Sequence, residues 1–309
     1  YAVESHQSLY LKCYFPLEYM VATLNNGGGF YKAEFYVHEA KMHGATIEPP
    51  CINQSQIETT IYDKTIYLGF QHLEGLEKKT MLNIINNRVH AKYTSYDDFI
   101  QRVPVSLEQQ ELLIRIGALR SLGKDKRSLL WEAHYKENTI PENELQQSFF
   151  KISLHDFTLP KFHISQYEDA FDYMELLGFS FFNPFFLMKE SPHKYILARE
   201  LPEYIDQQVK VAGYLVTCKN TKTATGLRMN FGTFLDLEGS WLDTVLFPEV
   251  AQRSAIYARG LYHIEAKVTT EFDFITLEVS KIKRLPYITD PRFATSPSDT
   301  KTHSLKTGS

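Results

Sequence analysis

Five segments between positions 209 and 282 constrain this chain more than anything else in it. The stretches 209–220, 229–238, 241–247, 261–270 and 274–282 are rich in β-branched and aromatic residues and alternate apolar with polar. Successive side chains of a strand point to opposite faces, so a period of two predicts strands with one buried face. A short helical segment, PEVAQRSAI, falls between the third and fourth strands. Five strands with a helix after the third is the order of a small closed β-barrel.

The second strand divides its residues between two faces. Met229, Phe231, Thr233 and Leu235 share one; Asn230, Gly232, Phe234 and Asp236 share the other. The pattern predicts Phe234 as the outward aromatic, and Trp241 opens the third strand, ready to pack or stack. The loop before the second strand, KNTKTATGLR, supplies Lys219, Lys222 and Arg228. Cations that track a phosphate chain beside aromatics that stack on bases make a single-strand site. This barrel order is that of an OB-fold, whose ligands lie on strands two and three.

The rest of the chain reads as mostly helical. Pro16 breaks a first helix, 17–24 forms a second, and a third ends at Gly44. The pair 57–62 and 65–70 reads as a short hairpin around Asp63-Lys64. From 71 to 135 the pattern is helical again, with a bend at Gly75 and further bends at Gly117 and Gly123. Ser95 or Thr94 caps one helix, and Ser106 with Gln109 three residues on reads as a capping box. A helix, a tight glycine turn and a second helix present backbone N–H groups to a phosphate, with no preference for sequence. Two such units are expected, around 71–88 and 98–117. Their candidate DNA contacts are Gly75, Lys78 and Lys79 in the first, and Arg115, Gly117, Arg120, Lys124, Lys126 and Arg127 about the second. The segment 164–182 reads as an amphipathic helix ended by Gly178, and the tail from 288 as disordered.

Composition excludes several classes. A formal net charge of −4 gives no global basic field, so any nucleic-acid contact rests on local patches. Three scattered cysteines form no disulfide framework or paired metal motif and fit a reducing compartment. No apolar run is long enough to span a membrane, and no signal peptide is visible. Asp97-Asp98 sits at a helix start, where carboxylates face the positive dipole end, and no metal site is expected. With no initiator Met, Tyr1 opens directly into a helical pattern, so the chain reads as a piece of a longer protein.

Several blocks in order resemble the C-terminal portion of the bacterial DNA polymerase III alpha subunit. HQSLYLKCYFPLEYMVATLNN is similar to the segment that ends that family's fingers, and EAKMHGATIEPPCIN to the stretch that follows. IYLGFQHLEGLEKKTMLNIINNR is similar to its first helix-hairpin-helix, DFIQRV and LLIRIGALRSLG to its second, and ELLGFSFFNPF to its LGFYLSGHP block. VKVAGYLVTCKNTKTATGLRMNFGTFLDLEGSWLDTVLFP is similar to its OB domain. The family's Gly-Val-Gly hairpin is Gly75-Leu76-Glu77 here, and a carboxylate at the third position repels phosphate.

The resemblance implies a multidomain α+β chain: fingers end 1–56, tandem helix-hairpin-helix region 57–135, linker 136–205, OB-fold 206–287 and tail 288–309. It implies single- and double-stranded DNA as partners, further replisome subunits, no membrane, and a cytoplasmic bacterial setting. It also implies a sliding clamp, taken by a Gln-x-x-apolar-Phe peptide at Gln146, Phe149 and Phe150. The polymerase palm with its Mg2+-binding carboxylates has no counterpart in this sequence, so no cofactor and no catalytic residue is expected in it. The other reading is a stand-alone, non-catalytic DNA-binding accessory or interaction protein. The parent, under the first reading, is a DNA-directed DNA polymerase.

Overall fold

A computed structural model describes residues 2–27, 29, 31–139, 165–254, 256, 258–271 and 274–293. They form two compact units, one holding residues up to 139 with 172–181, the other 165–171 with 182–293.

The first unit begins with α1 (Ala2–Tyr14), which buries none of its residues, and α2 (Pro16–Asn25). Pro16 occupies the first helical turn, where a missing N–H leaves no bond unmade and the ring presets φ. After α3 (Ala33–Met42) the chain enters β1 (Thr46–Glu48), then β2 (Thr60–Tyr62) and β3 (Thr65–Tyr67). β3 is central, parallel to β1 and antiparallel to β2. The helices α4 (Lys78–Arg88), α5 (Tyr96–Arg102), α6 (Leu107–Arg115) and α7 (Lys126–Thr139) follow. Leu17, Met20, Ile52, Ile66, Ile84, Phe99, Leu113, Ala133 and Phe179 belong to one continuous hydrophobic core. The stretches 1–56 and 57–135 therefore share their interior.

Capping in this unit follows the sequence except at one residue. Ser95 Oγ accepts from Asp98 N, and Ser106 Oγ accepts from Gln109 N. The expected capping box at Ser106 is not closed, because the Gln109 side chain points elsewhere. Its Oε1 accepts from Glu77 N at 2.8 Å and its Nε2 donates to Gly75 O at 2.9 Å. A buried amide thus spans the turn between the 3₁₀ segment Phe70–His72 and α4.

Asp98 shows how a first-turn carboxylate is used. It accepts from Thr94 N at 3.0 Å and pairs with Arg102 at 3.2 Å. The Thr94 amide, with Arg102 adding to it, holds this carboxyl below the usual range. A depressed folded pKa gives stability that is full above about pH 4 and is lost as pH falls through the folded value. Asp98→Asn should therefore lower the melting temperature at pH 7, by a deficit that shrinks as pH falls through the folded value. A deficit that does not change as the pH is lowered would show the contribution to be uncharged.

The second unit contains α8 (Gln166–Leu176) in part, three 3₁₀ turns and a barrel. Asn183 shapes the entry: its Oδ1 accepts from Phe185 N and its Nδ2 donates to Leu237 O at 2.7 Å. The barrel strands are β4 (Gln208–Lys222), β5 (Arg228–Leu235), β6 (Trp241–Leu246), β7 (Leu261–Glu271) and β8 (Phe274–Arg284). α9 (Pro248–Arg253) lies between β6 and β7. The closed order is β4-β5-β6-β8-β7, with β6 and β8 parallel, which is the OB topology the five segments predicted. Val211, Leu215, Phe234, Leu242, Ile264, Val268 and Leu277 fill the interior. A second apolar layer covers part of the outside, joining Tyr214, Leu235 and Leu261 to Phe185, Met188 and Tyr195.

That outer layer explains one incorrect expectation. Phe234 does not face outward; it is fully buried inside the barrel, edge-on to Tyr262 at 5.8 Å. Its neighbour Leu235 is buried as well, under the outer layer. Both faces of this end of β5 are covered, so alternation alone cannot say which is the interior. Two glycines decide it. A Cβ on Gly232 would lie 2.7 Å from the Phe234 ring, and one on Gly213 would lie 2.9 Å from the Phe234 Cβ. Their missing side chains make the space this ring fills.

Candidate nucleic-acid interface

The basic ribbon is the two-stranded extension of β4 and β5. Its register pairs Lys219 with Phe231, Asn220 with Asn230, Thr221 with Met229 and Lys222 with Arg228. Side chains opposite each other share a face, so the three cations divide. Lys219 lies with Phe231, and Val245 of β6 continues that row. Lys222 and Arg228 lie on the other face with Asn220 and Asn230. The turn between the strands is ordered: Thr223 N donates to Leu227 O at 2.8 Å, and Gly226 N donates to Thr223 O at 2.9 Å.

On the outer face Phe231 is 42% exposed, the aromatic that Phe234 was expected to be. Lys219 and Lys222 are exposed, and neither pairs with a carboxylate among the described residues. No acidic residue occurs from Gln207 to Leu235. At the far end of this face Asp243 accepts from Thr233 Oγ1 at 3.0 Å. Trp241 packs in the outer apolar layer, so of its two expected roles it takes packing. On the inner face Cys218 is half-buried; burial pushes its thiol pKa up, and the Arg228 charge offsets part of this.

Arg228 is held in place. Its Nε donates to Asn230 Oδ1 and its Nη2 to Asn220 Oδ1, both at 3.2 Å. Asn230 is fully buried, and its Nδ2 has no partner among the described residues.

The two hairpin turns differ in what they leave open. At the first, Gly75 has φ +82°, and a Cβ there would meet Leu112 at 3.3 Å. The Glu77 N–H is taken by Gln109, but no side chain caps α4, and Lys78 and Lys79 at its start are exposed. The carboxylate of Glu77 is exposed beside them.

Around the second turn the cations are engaged within the protein. Arg115 binds Asp172 and Glu175, and Lys126 binds Asp172 at 2.9 Å. Arg120 donates to the carbonyls of Pro49, Pro50 and Gly117 and pairs with Glu48. Lys124 pairs with Glu132 at 2.7 Å, and Arg127 also has an interaction partner. The start of α7 is capped by Asp125, which accepts from Ser128 N at 2.9 Å. Gly117 has φ +76° and open space around it. Sequence spacing shows a cluster of positive charge here, and the fold supplies carboxylates from distant positions that offset it.

The clamp-peptide residues Gln146, Phe149 and Phe150 lie outside the described residues. Sequence reasoning chose Phe234 over Phe231 as the outward aromatic, gave Gln109 a capping-box role, and did not single out Asn220 or Asn230 as site residues. Phe231 was within reach, since Gly232 two residues before Phe234 marks the crowded face. The Gln109 contact spans 32 positions and left no local signal. Among the described residues no cluster of three or more His, Cys, Asp or Glu could hold a metal ion, and no helix is long and apolar enough to cross a membrane.

Comparison with known proteins agrees with this layout. The helix-hairpin-helix motif family matches residues 44–129. The chain is 26% identical to the DNA polymerase III subunit alpha of Treponema pallidum over 80% of its own length and 23% of that protein's. It is 24% identical to the corresponding subunit of Borreliella burgdorferi, over 94% of this chain and 27% of the other. It is 26% identical to the error-prone DNA polymerase of Corynebacterium glutamicum, over 82% and 23%. The chain thus spans about a quarter of the length of these relatives, and its resemblance to an alpha-subunit portion runs over most of its own. Among solved structures, the mitochondrial single-stranded DNA binding protein Rim1 of S. cerevisiae is 15% identical. The likeness covers 25% of this chain and 94% of that one, with a TM-score of 0.22. The barrel is identified by its own strand order.

Proposed function

We propose that this chain, similar over most of its length to DNA polymerase III alpha subunits, is the C-terminal, DNA-holding portion of such a polymerase. The barrel grips single-stranded DNA and the helix-hairpin-helix unit follows the duplex backbone. The observation that carries the reading is the pairing of exposed Phe231 with unpaired Lys219 on the outer barrel face. An aromatic ring accepts any base, and an adjacent ammonium neutralises a phosphate. In the first unit, the uncapped start of α4 with Lys78 and Lys79 is the open phosphate site. Synthesis itself belongs to a palm with Mg2+ that this sequence does not contain.

Titration of the chain with oligo-dT at several salt concentrations tests this. Each phosphate contact on a single strand contributes about 0.7 to the slope of log K against log salt. Lys219→Ala should lower the slope by roughly that amount, and a slope equal to wild type would remove Lys219 from the interface.

The sequence supports a sliding clamp as a further partner. Gln146, Phe149 and Phe150 fit a peptide that inserts two apolar side chains into a pocket while Gln bonds at its rim. Burying two such groups is worth about 3–6 kcal/mol gross. Phe149→Ala with Phe150→Ala should abolish clamp capture and leave oligo-dT affinity alone; retained capture would end this assignment.

A further inference from the structure

We infer that Asn220 and Asn230 are positioning residues for Arg228, fixing its guanidinium as a phosphate fork on the inner face of the ribbon. The inference rests on the single-strand reading above and assigns the ribbon's two faces different tasks. The outer face, with Phe231 and Lys219, takes bases and a neighbouring phosphate. The inner face, with Arg228 and Lys222, takes the backbone alone, for no exposed aromatic lies in its paired positions.

An arginine on a two-stranded ribbon is ordinarily a mobile side chain. Here one bond comes from each strand: Asn220 belongs to β4 and Asn230 to β5. Two acceptors on Nε and Nη2 fix the plane of the group. The Asn230 amide is oriented by the same contact, since its oxygen must face the Nε–H. Its fully buried position leaves it no other rotamer in solvent. The remaining guanidinium N–H groups are the ones left to an incoming anion. Lys222, opposite Arg228 in the register, adds a second cation. A phosphodiester matches a planar fork, and lysine cannot reproduce the geometry. Ordering a long side chain before binding saves about 0.5–1.5 kcal/mol, which is roughly a two- to tenfold gain in affinity.

The test is a double-mutant cycle on oligo-dT binding. Asn220 is exposed, so Asn220→Ala should fold with an unchanged melting temperature. It should weaken binding about threefold at every salt concentration, with the salt slope kept, because no charge is removed. Arg228→Lys should weaken binding by a similar factor with the slope kept. Arg228→Ala should lower the slope by about 0.7. In the Arg228→Lys background, Asn220→Ala should have no further effect. An equal loss in both backgrounds, or no loss in the wild type, overturns the positioning role. Wild-type chain that ignores oligo-dT at low salt overturns the single-strand reading and this inference with it. Binding that depends on Phe231 but not on the Asn220–Arg228 coupling sinks this inference alone.

Discussion

Phe231→Ala is expected to weaken oligo-dT binding about five- to hundredfold without moving the melting temperature, while Phe234→Ala is expected to unfold the barrel. The two rings are three residues apart and face opposite ways. Phe231 is 42% exposed on the outer face, and stacking one base on such a ring is worth about 1–3 kcal/mol. Phe234 has no exposed surface and fills the space left by Gly213 and Gly232. Removing a buried Phe costs about 3–5 kcal/mol, a large part of what a single barrel has to spare. Melting followed by tryptophan fluorescence and titration with oligo-dT separate the effects. If Phe231→Ala binds as wild type while Lys219→Ala does not, the face is electrostatic and carries no base. If Phe234→Ala stays folded, the ring is not the centre of the barrel core.

Gln109→Ala should open the first hairpin turn. The wild-type amide holds Glu77 N and Gly75 O from a position 32 residues away from one and 34 from the other. Truncation removes the protein partner of the Glu77 N–H and of the Gly75 carbonyl, both on exposed residues, at about 0.5–1.5 kcal/mol for each bond lost. Gln109→Glu should be as damaging, since a carboxylate accepts from Glu77 N but cannot donate to Gly75 O. Amide exchange at Glu77 reads the loss directly and should rise in both variants. Because the turn sets the start of α4, duplex affinity should fall with it, while oligo-dT affinity stays. Unchanged exchange at Glu77 would falsify the bridging role; faster exchange with full duplex affinity would separate the turn from DNA.

The barrel order was legible in the sequence because each strand announces itself locally. The period of two in 209–220 or 261–270 needs no knowledge of neighbours, and the helix after the third strand fixes the topology. Caps at Ser95 and Ser106 and the proline at the head of α2 are equally local and were readable. The site was less so. Lys219, Lys222 and Arg228 read as one patch, yet the register places them on two faces. Arg115, Arg120, Lys124 and Lys126 also read as a patch, yet each meets an acceptor in the fold.

Sequence alone, then, determined the five barrel strands and the local signals that start the helices, since these depend on residues within a turn or two of one another, while the hairpin arms read at 57–62 and 65–70 are strands only over 60–62 and 65–67. Tertiary structure decided which face of β5 is inside, which cations remain free and what holds the Gly75 turn. Those outcomes depend on groups brought together from far along the chain: Gly213 beneath Phe234, Asp172 against Arg115, Gln109 across Gly75 and Glu77. Burial and charge pairing are properties of neighbours in space, and a one-dimensional pattern lists only neighbours in order.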